Sequence, residues 1–120
     1  MKRALSIAAL ALAATAPALG DGPGSWVVES SLNVARQEVG AARIGDTVYV
    51  TGGLLSSGGF PLVATSSVEA YDLQTAQWSF VTSMPVALDH MATVAYDGKL
   101  YVAGGYSADF VPRDELWIYD

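Results

Sequence analysis

Seven side chains in this sequence have the chemistry of a binding or catalytic site, and they fall in three short stretches. These candidate ligand-binding residues are Arg36, Glu38, Asp89, His90, Tyr106, Asp109 and Arg113. Carboxylates and guanidinium groups bind charged or hydroxyl-bearing ligands through charge-assisted hydrogen bonds. Phe60 and Phe110, together with Tyr106, offer aromatic contact area beside them. The sequence therefore predicts a polar site with aromatic surroundings, if the fold brings the three stretches together.

Catalytic chemistry is weakly indicated. His90 is the only histidine, and one histidine does not make a two-histidine metal site. Beside Asp89 it is open to a general acid/base role or to a structural hydrogen bond. The sequence has no cysteine, and no serine–histidine–aspartate order, metal cluster or close carboxylate pair rises above background. We therefore expect no metal and no cofactor, and the catalytic residues stay unknown.

Arg36 and Glu38 have two open interpretations. In the first, both side chains bind a carboxylate or sugar hydroxyls of a ligand. In the second, the arginine forms an ion pair between neighbouring units of the fold. The pair Gly52-Gly53 does not bind phosphate in the manner of a P-loop, because it neither opens a helix nor precedes a Lys-Ser/Thr pair. We expect these glycines to let the main chain approach an aromatic side chain in a neighbouring layer.

A repeat predicts the elements that position these side chains. At an offset of 52 residues Trp26 aligns with Trp78, and Gly52-Gly53 aligns with Gly104-Gly105. Hairpin turns are predicted at Gly45-Asp46 and Asp97-Gly98. Predicted strands cover residues 39–45, 47–51, 68–72 and 77–81 in the first copy, and residues 91–96, 99–103 and 116–120 in the second. No helix is indicated after residue 20.

The repeated residues carry a resemblance to a known family. The motif set is Trp26, Tyr49, Gly52, Gly53, Tyr71, Asp72, Trp78, Tyr101, Gly104, Gly105, Tyr119 and Asp120. From residue 26 to residue 120 the sequence resembles the kelch repeat family. The resemblance implies an all-β fold of kelch-type β-propeller blades, each of four antiparallel strands, with about two blades present. One position departs from the pattern, because the arginine at Arg36 is replaced by Leu88 in the second copy.

The expected organisation follows from this repeat. Residues 21–38 form an N-terminal segment with an inter-blade loop and a closing strand, in which Trp26 is the outer-strand tryptophan of a preceding blade. Residues 39–81 form the first repeat, and residues 91–120 form a truncated second one. Propellers need about four to eight blades, so we expect an incomplete propeller whose uncovered faces favour self-association when the chain is made alone.

Residues 1–20 have the pattern of a cleavable signal peptide. Lys2 and Arg3 precede an apolar run, and small residues allow cleavage after Ala18 or after Gly20. The run is too short to span a membrane, so we expect a secreted or periplasmic protein with no span after cleavage. Cleavage leaves four basic residues against twelve acidic ones, a net charge of about −8, which disfavours nucleic acid and anionic membranes as partners.

Two classes of function remain open. The first is a binding module whose loops hold a protein or carbohydrate partner, because residues 31–38, 54–67, 83–90 and 106–114 are predicted to emerge on one face. The second follows from the resemblance, which implies a sugar-active enzyme similar to a sialic-acid mutarotase or a galactose oxidase. The oxidase chemistry uses a Tyr-Cys crosslink, and this sequence has no cysteine. A non-functional gene fragment is a further alternative.

Overall fold

The computed structural model describes residues 24–55 and 60–120. The predicted signal peptide lies outside the described residues. Residues 24–33 form no strand, and the side chain of Trp26 is fully exposed. The packing role predicted for Trp26 is therefore wrong in this structure, because no sheet lies against its ring.

The chain is built from short strands and a single three-residue 3-10 turn in the part that is described. The strands are β1 Arg36–Gln37, β2 Gly40–Ile44, β3 Thr47–Thr51, β4 Leu54–Leu55, β5 Val63–Ala64, β6 Val68–Asp72, β7 Gln77–Val81, β8 Ala92–Tyr96, β9 Lys99–Ala103, β10 Tyr106–Ser107, β11 Val111–Pro112 and β12 Leu116–Tyr119. The turn is Ala108–Phe110. The predicted all-β class is confirmed, and the turn is the one helical feature that the sequence pattern missed.

The first blade is a four-stranded antiparallel sheet in the order β2-β3-β6-β7. Its first hairpin turns at Gly45-Asp46, as predicted, with Gly45 at a φ of 54°. The turn between β6 and β7 is held by Asp72, whose Oδ1 accepts hydrogen bonds from the backbone N–H groups of Gln74 and Thr75. Tyr71 is buried and packs on Trp78 with ring centroids 5.0 Å apart. These contacts fix the outer half of the blade.

The second blade has three described strands in the order β12-β9-β8. Its hairpin turns at Asp97-Gly98, where both residues have positive φ. β12 pairs with β9 from Leu116 opposite Ala103 to Tyr119 opposite Leu100. One full blade followed by three strands of another is therefore the observed architecture, as the repeat predicts.

The two blades meet through their inner strands and through the connection between them. Leu88 of that connection is fully buried and packs with Met91 and Val102, while Met84, Val86 and Trp117 cover this cluster. The hydroxyls of Thr51 and Thr93 lie 2.8 Å apart across the interface. The apolar side chains of this connection thus fill the space between the two sheets.

The loops at one end of the blades are more ordered than predicted. β4 pairs with β1 on one side and with β5 on the other, and β10 pairs with β11. These short ladders satisfy main-chain N–H and C=O groups that a partly buried loop would otherwise leave unpaired. Within the described residues, no helix has the length and apolar character needed to cross a membrane.

Candidate functional site

The loops of both blades converge at one end of the sheets, which we call the loop face. Glu38 and His90 occupy equivalent positions in the two repeats, and both have a φ of 54°. They are also in contact, because the N–H of His90 donates to the carbonyl oxygen of Glu38 at 3.1 Å. Left-handed backbone at non-glycine residues is strained, and such strain concentrates at functional sites. The strained backbone at Glu38 and His90 therefore marks the loop face as a candidate functional site.

His90 is held between two carboxylates. Its Nδ1 lies 2.5 Å from Oδ1 of Asp89, and its Nε2 lies 3.4 Å from Oε2 of Glu38. The hydrogen bond to Asp89 raises the pKa of His90, partial desolvation opposes that rise, and the charge of Glu38 adds to it. The two carboxylates lie on opposite ring nitrogens, so they hold the imidazole and do not converge on a metal position. Residues 24–55 and 60–120 contain no group of three histidine, cysteine, aspartate or glutamate side chains placed to hold a metal ion.

Asp89 connects this cluster to the loop of the second blade. Its backbone forms a bridge with Tyr106, with N–H to carbonyl distances of 3.0 Å and 2.9 Å in the two directions. The ring of Tyr106 stands edge-on to His90 at a centroid distance of 5.8 Å and packs on Phe110 at 6.0 Å. The side chain of Asp89 is almost completely buried. The two blades therefore share one hydrogen-bonded loop assembly.

A cleft of about 440 Å³ lies between the loop of the first blade and the loop of the second. Its lining residues are Leu54, Phe60, Pro61, Leu62, Val63, Ala64, Asp89, Ser107, Ala108, Asp109 and Phe110. Phe60 is 93% exposed and Phe110 is 63% exposed. Asp109 and Phe110 both have positive φ, at 61° and 55°. The cleft thus has apolar walls, and its exposed carboxylate is that of Asp109.

Arg36 does not belong to this surface, and the ligand-binding role predicted for it is wrong. Its side chain is fully buried, and its Nη2 lies 2.6 Å from Oε1 of Glu69, which is equally buried. Its Nη1 donates to the backbone oxygen and the hydroxyl of Ser67 at 3.1 Å and 2.5 Å. Burial lowers the pKa of Arg36, and the ion pair with Glu69 opposes that shift. The arginine fastens the entry loop to the first blade through Glu69 and Ser67.

Arg113 is also engaged elsewhere. Its guanidinium pairs with the carboxylate of Glu115, a contact that raises the pKa of Arg113 and lowers that of Glu115. It does not line the cleft. The structure therefore brings Glu38, Asp89, His90, Tyr106 and Asp109 together on the loop face and sets the two arginines apart.

Glu69 was not among the site residues predicted from the sequence, where it lies within the predicted strand of residues 68–72. In the structure it accepts hydrogen bonds from Arg36, from the N–H and side-chain amide of Asn33, and from the N–H of Val34. A signal was present. Where the second repeat has Leu88 in place of Arg36, it has Trp117 in place of Glu69, so the two positions change from polar to apolar together.

The explanation expected for the glycine pair also needs correction. A Cβ on Gly52 would collide with the carbonyl oxygen of Leu88 and with the terminal methyl of Met91, and would lie 2.9 Å from that of Met84. Gly52 has a φ of 54° as well. The close neighbours of this glycine are therefore a main-chain carbonyl and two methionines, and no aromatic ring is among them.

Comparisons with known proteins agree with this architecture. Residues 35–85 match the family model described as Kelch motif. The chain belongs to the kelch repeat family. It is 35% identical over 91 residues to Kelch-like protein terF of Aspergillus terreus, a match that covers 72% of this chain and 20% of that protein.

Other kelch relatives match over similar lengths. An F-box/kelch-repeat protein of Arabidopsis thaliana is 37% identical over 92 residues, covering 77% of this chain and 23% of that protein. Kelch repeat protein B10 of Vaccinia virus (strain Ankara) is 31% identical over 84 residues, covering 69% and 52%. Among solved structures, YjhT aligns with a TM-score of 0.54 and 26% identity, over 60% of this chain and 21% of that one. The kelch chain spans about a fifth of the length of the first two relatives.

Proposed function

We propose that the loop face of this kelch chain is a protein-binding surface and that the cleft between its two loops is the centre of that surface. Kelch repeats generally mediate protein–protein interaction. The observation that carries the proposal is the pair of exposed rings, Phe60 and Phe110, on the walls of a cleft formed by two blades. Contiguous exposed apolar surface with a polar rim is typical of interaction sites.

The loops that form the cleft support this role because they are already ordered. The bridge between Asp89 and Tyr106 ties the second loop to the connection between the blades, and β4 and β5 brace the first loop. A surface that is rigid before binding loses less conformational entropy when a partner docks. Aromatic side chains in such positions supply a large contact area with few rotatable bonds.

Catalysis by the histidine is less well supported than binding. A general acid or base must exchange a proton with a substrate, and it does so best with a free ring nitrogen within hydrogen-bond reach. Both ring nitrogens of His90 face carboxylates, at 2.5 Å and 3.4 Å. The sugar-active enzyme inferred from the family resemblance therefore has no specific side-chain geometry in its favour here.

A selection from displayed random peptides tests the proposal on the loop face. Peptides enriched on the wild-type chain should bind F110A at least about tenfold more weakly, because central aromatic residues dominate interface energies. F80A is the matched control, since Phe80 is 56% exposed on the outer strand β7, away from the cleft. Peptides that bind F110A as tightly as wild type would exclude this cleft as a protein-binding site.

An oligosaccharide array separates the carbohydrate alternative from the protein one. Aromatic faces beside carboxylates also suit sugars, so F110A-sensitive binding to the array without any peptide enrichment would replace the proposed protein partner with a glycan. Binding of neither probe to the wild-type chain would leave the protein-binding proposal wrong.

We also propose that residues 1–20 direct export and are removed. The support is the charged start, the short apolar run and the small residues before Ala18 and Gly20. N-terminal sequencing of material from outside the cytoplasm should find Leu19 or Asp21 as the first residue. An intact Met1 on that material would overturn cleavage.

A further inference from the structure

We propose that the cleft on the loop face binds a protein segment in which a lysine or arginine lies beside an apolar side chain. The inference rests on the proposed protein-binding function and specifies the chemistry of the partner. It follows from the combination, within one cleft, of apolar walls and charged residues that are all acidic.

The charged residues that line the cleft are all acidic. The side chain of Asp89 is almost completely buried and paired with His90, so the exposed carboxylate is that of Asp109, on the turn between β10 and β11. A partner that brings another carboxylate would therefore face like charge, whereas a cation would find an opposite charge.

The basic side chains of residues 83–90 and 106–114 are already paired. His90 lies between Glu38 and Asp89, with one carboxylate at each ring nitrogen. Arg113 is paired with Glu115. Neither is free to neutralise Asp109, which is exposed. The surroundings of the cleft consequently remain acidic when its own ion pairs are formed.

The apolar walls set the second half of the partner's chemistry. Phe60 and Phe110 present ring surface, and Val63 of β5, which also lines the cleft, is 58% exposed. An aliphatic or aromatic side chain of the partner gains contact here, and a guanidinium or ammonium group can also lie over the face of a phenyl ring. A segment that combines both groups contacts the apolar walls and the Asp109 carboxylate at once.

The charge of the whole chain acts in the same direction. The formal net charge is −6 at pH 7, so a basic segment is attracted over a distance as well as in the cleft. Such long-range attraction raises association rates and weakens as salt is added. We therefore expect binding of the preferred segment to weaken at high ionic strength.

Peptide selection on the wild-type chain tests the inference directly. The enriched sequences should contain a lysine or arginine within two positions of an aromatic or aliphatic residue, and should be depleted in aspartate and glutamate. Replacing the cation of the best peptide with glutamine should weaken binding to the wild-type chain by roughly two- to fivefold, the range for an exposed ion pair.

The variant D109N removes one cleft charge without changing the backbone requirement. Asn tolerates the left-handed conformation of position 109, where φ is 61°. The cationic peptide should bind D109N roughly two- to fivefold more weakly than wild type, and the glutamine peptide should bind both chains equally. D97N is the matched control, because Asp97 also has a positive φ of 49° but lies in the exposed turn at the opposite end of the blade.

The outcomes distinguish failure of this inference from failure of the proposed function. Enriched peptides that lack cations, or that bind D109N and wild type equally, would overturn the cationic partner while their sensitivity to F110A keeps the protein-binding surface. Enrichment without sensitivity to F110A, or no enrichment at all, would overturn both.

Discussion

The two blades use opposite chemistry at one structurally equivalent place. In the first blade Arg36 and Glu69 form a fully buried ion pair. The corresponding residues of the second blade are Leu88 and Trp117, which pack in an apolar cluster. The positions are equivalent in structure as well as in sequence. The N–H of Gly52 donates to the backbone carbonyl oxygen of Ser67 at 3.0 Å, and the N–H of Gly104 donates to that of Glu115 at 3.1 Å.

The exchange extends to a third position. Asn33 donates its backbone N–H and its side-chain amide to Oε2 of Glu69, at 2.8 Å and 2.9 Å. The residue at the equivalent position of the second repeat is Pro85, which has no N–H to donate. A donor is present where there is a carboxylate to accept its hydrogen, and it is absent where the partner is an indole.

The comparison shows that the fold needs this buried space filled, either by polar groups that are paired with each other or by apolar side chains. A buried ion pair is stable only when its charges are matched and hydrogen-bonded, whereas apolar side chains need only complementary shape. Each solution leaves one buried N–H without a partner in the described part of the chain, at Arg36 Nε and Trp117 Nε1. The polar arrangement of Arg36, Glu69 and Asn33 is the more easily destabilised, because removing any one of them leaves the others buried without a hydrogen-bond or charge partner.

The largest effect is expected from breaking the ion pair. Arg36→Met should destabilise the chain by about 3–5 kcal/mol, because the Glu69 carboxylate is left buried without its countercharge. Chemical denaturation followed by tryptophan fluorescence measures the loss. A change below about 1 kcal/mol would mean that the Glu69 carboxylate does not need the countercharge of Arg36, and the comparison of the blades would lose its basis.

The double variant R36L/E69W transfers the chemistry of the second blade to the first and serves as the control. Replacing a buried ion pair by apolar residues of suitable shape is often neutral. The double variant should therefore be about 1–3 kcal/mol more stable than the sum of the losses in R36L and in E69W predicts. Additive losses would show that the two sites are not interchangeable.

Substituting the equivalent glycines Gly52 and Gly104 should reveal a smaller difference in stability between the two blades. Both Gly52 and Gly104 have positive φ, so alanine at either costs about 1–2 kcal/mol in backbone strain. A Cβ at Gly104 meets only the carbonyl oxygen of Arg113, at 3.4 Å, whereas at Gly52 it meets Leu88 and two methionines. Gly52→Ala should cost about 1–3 kcal/mol more than Gly104→Ala in the same denaturation measurement. Equal losses would show that the connection yields easily.

The smallest effect concerns the equivalent positions Glu38 and His90. The pKa of folded His90 is raised above its ordinary value of 6.5. Its contribution to stability is therefore complete below that value and is lost as the pH rises through the raised pKa. Denaturation between pH 5 and pH 9 should show this decline in the wild-type chain and not in H90N, since Asn tolerates the same positive φ. A decline that persists in H90N would assign the titration to another group.

Much of the scaffold could be predicted from local pattern. The turns at Gly45-Asp46 and Asp97-Gly98, and the strands on either side of them, follow from residues with positive φ between β-branched runs. The candidate site was predicted in part, because Glu38, Asp89 and His90 do meet. Arg36 was misplaced because a loop arginine has the same local sequence signal whether it faces solvent or a buried carboxylate.

By itself, then, the sequence determined the period, the strands, the turns and the end of the blades at which the loops gather. These depend on short-range backbone preferences and on alternation, which neighbouring residues encode. Only the tertiary structure decided that Glu69 is buried, that Phe60 and Phe110 wall one cleft, and that Trp26 has no sheet against it. Those facts depend on which surfaces meet across tens of residues, and burial of a charge or exposure of a ring is a property of that meeting.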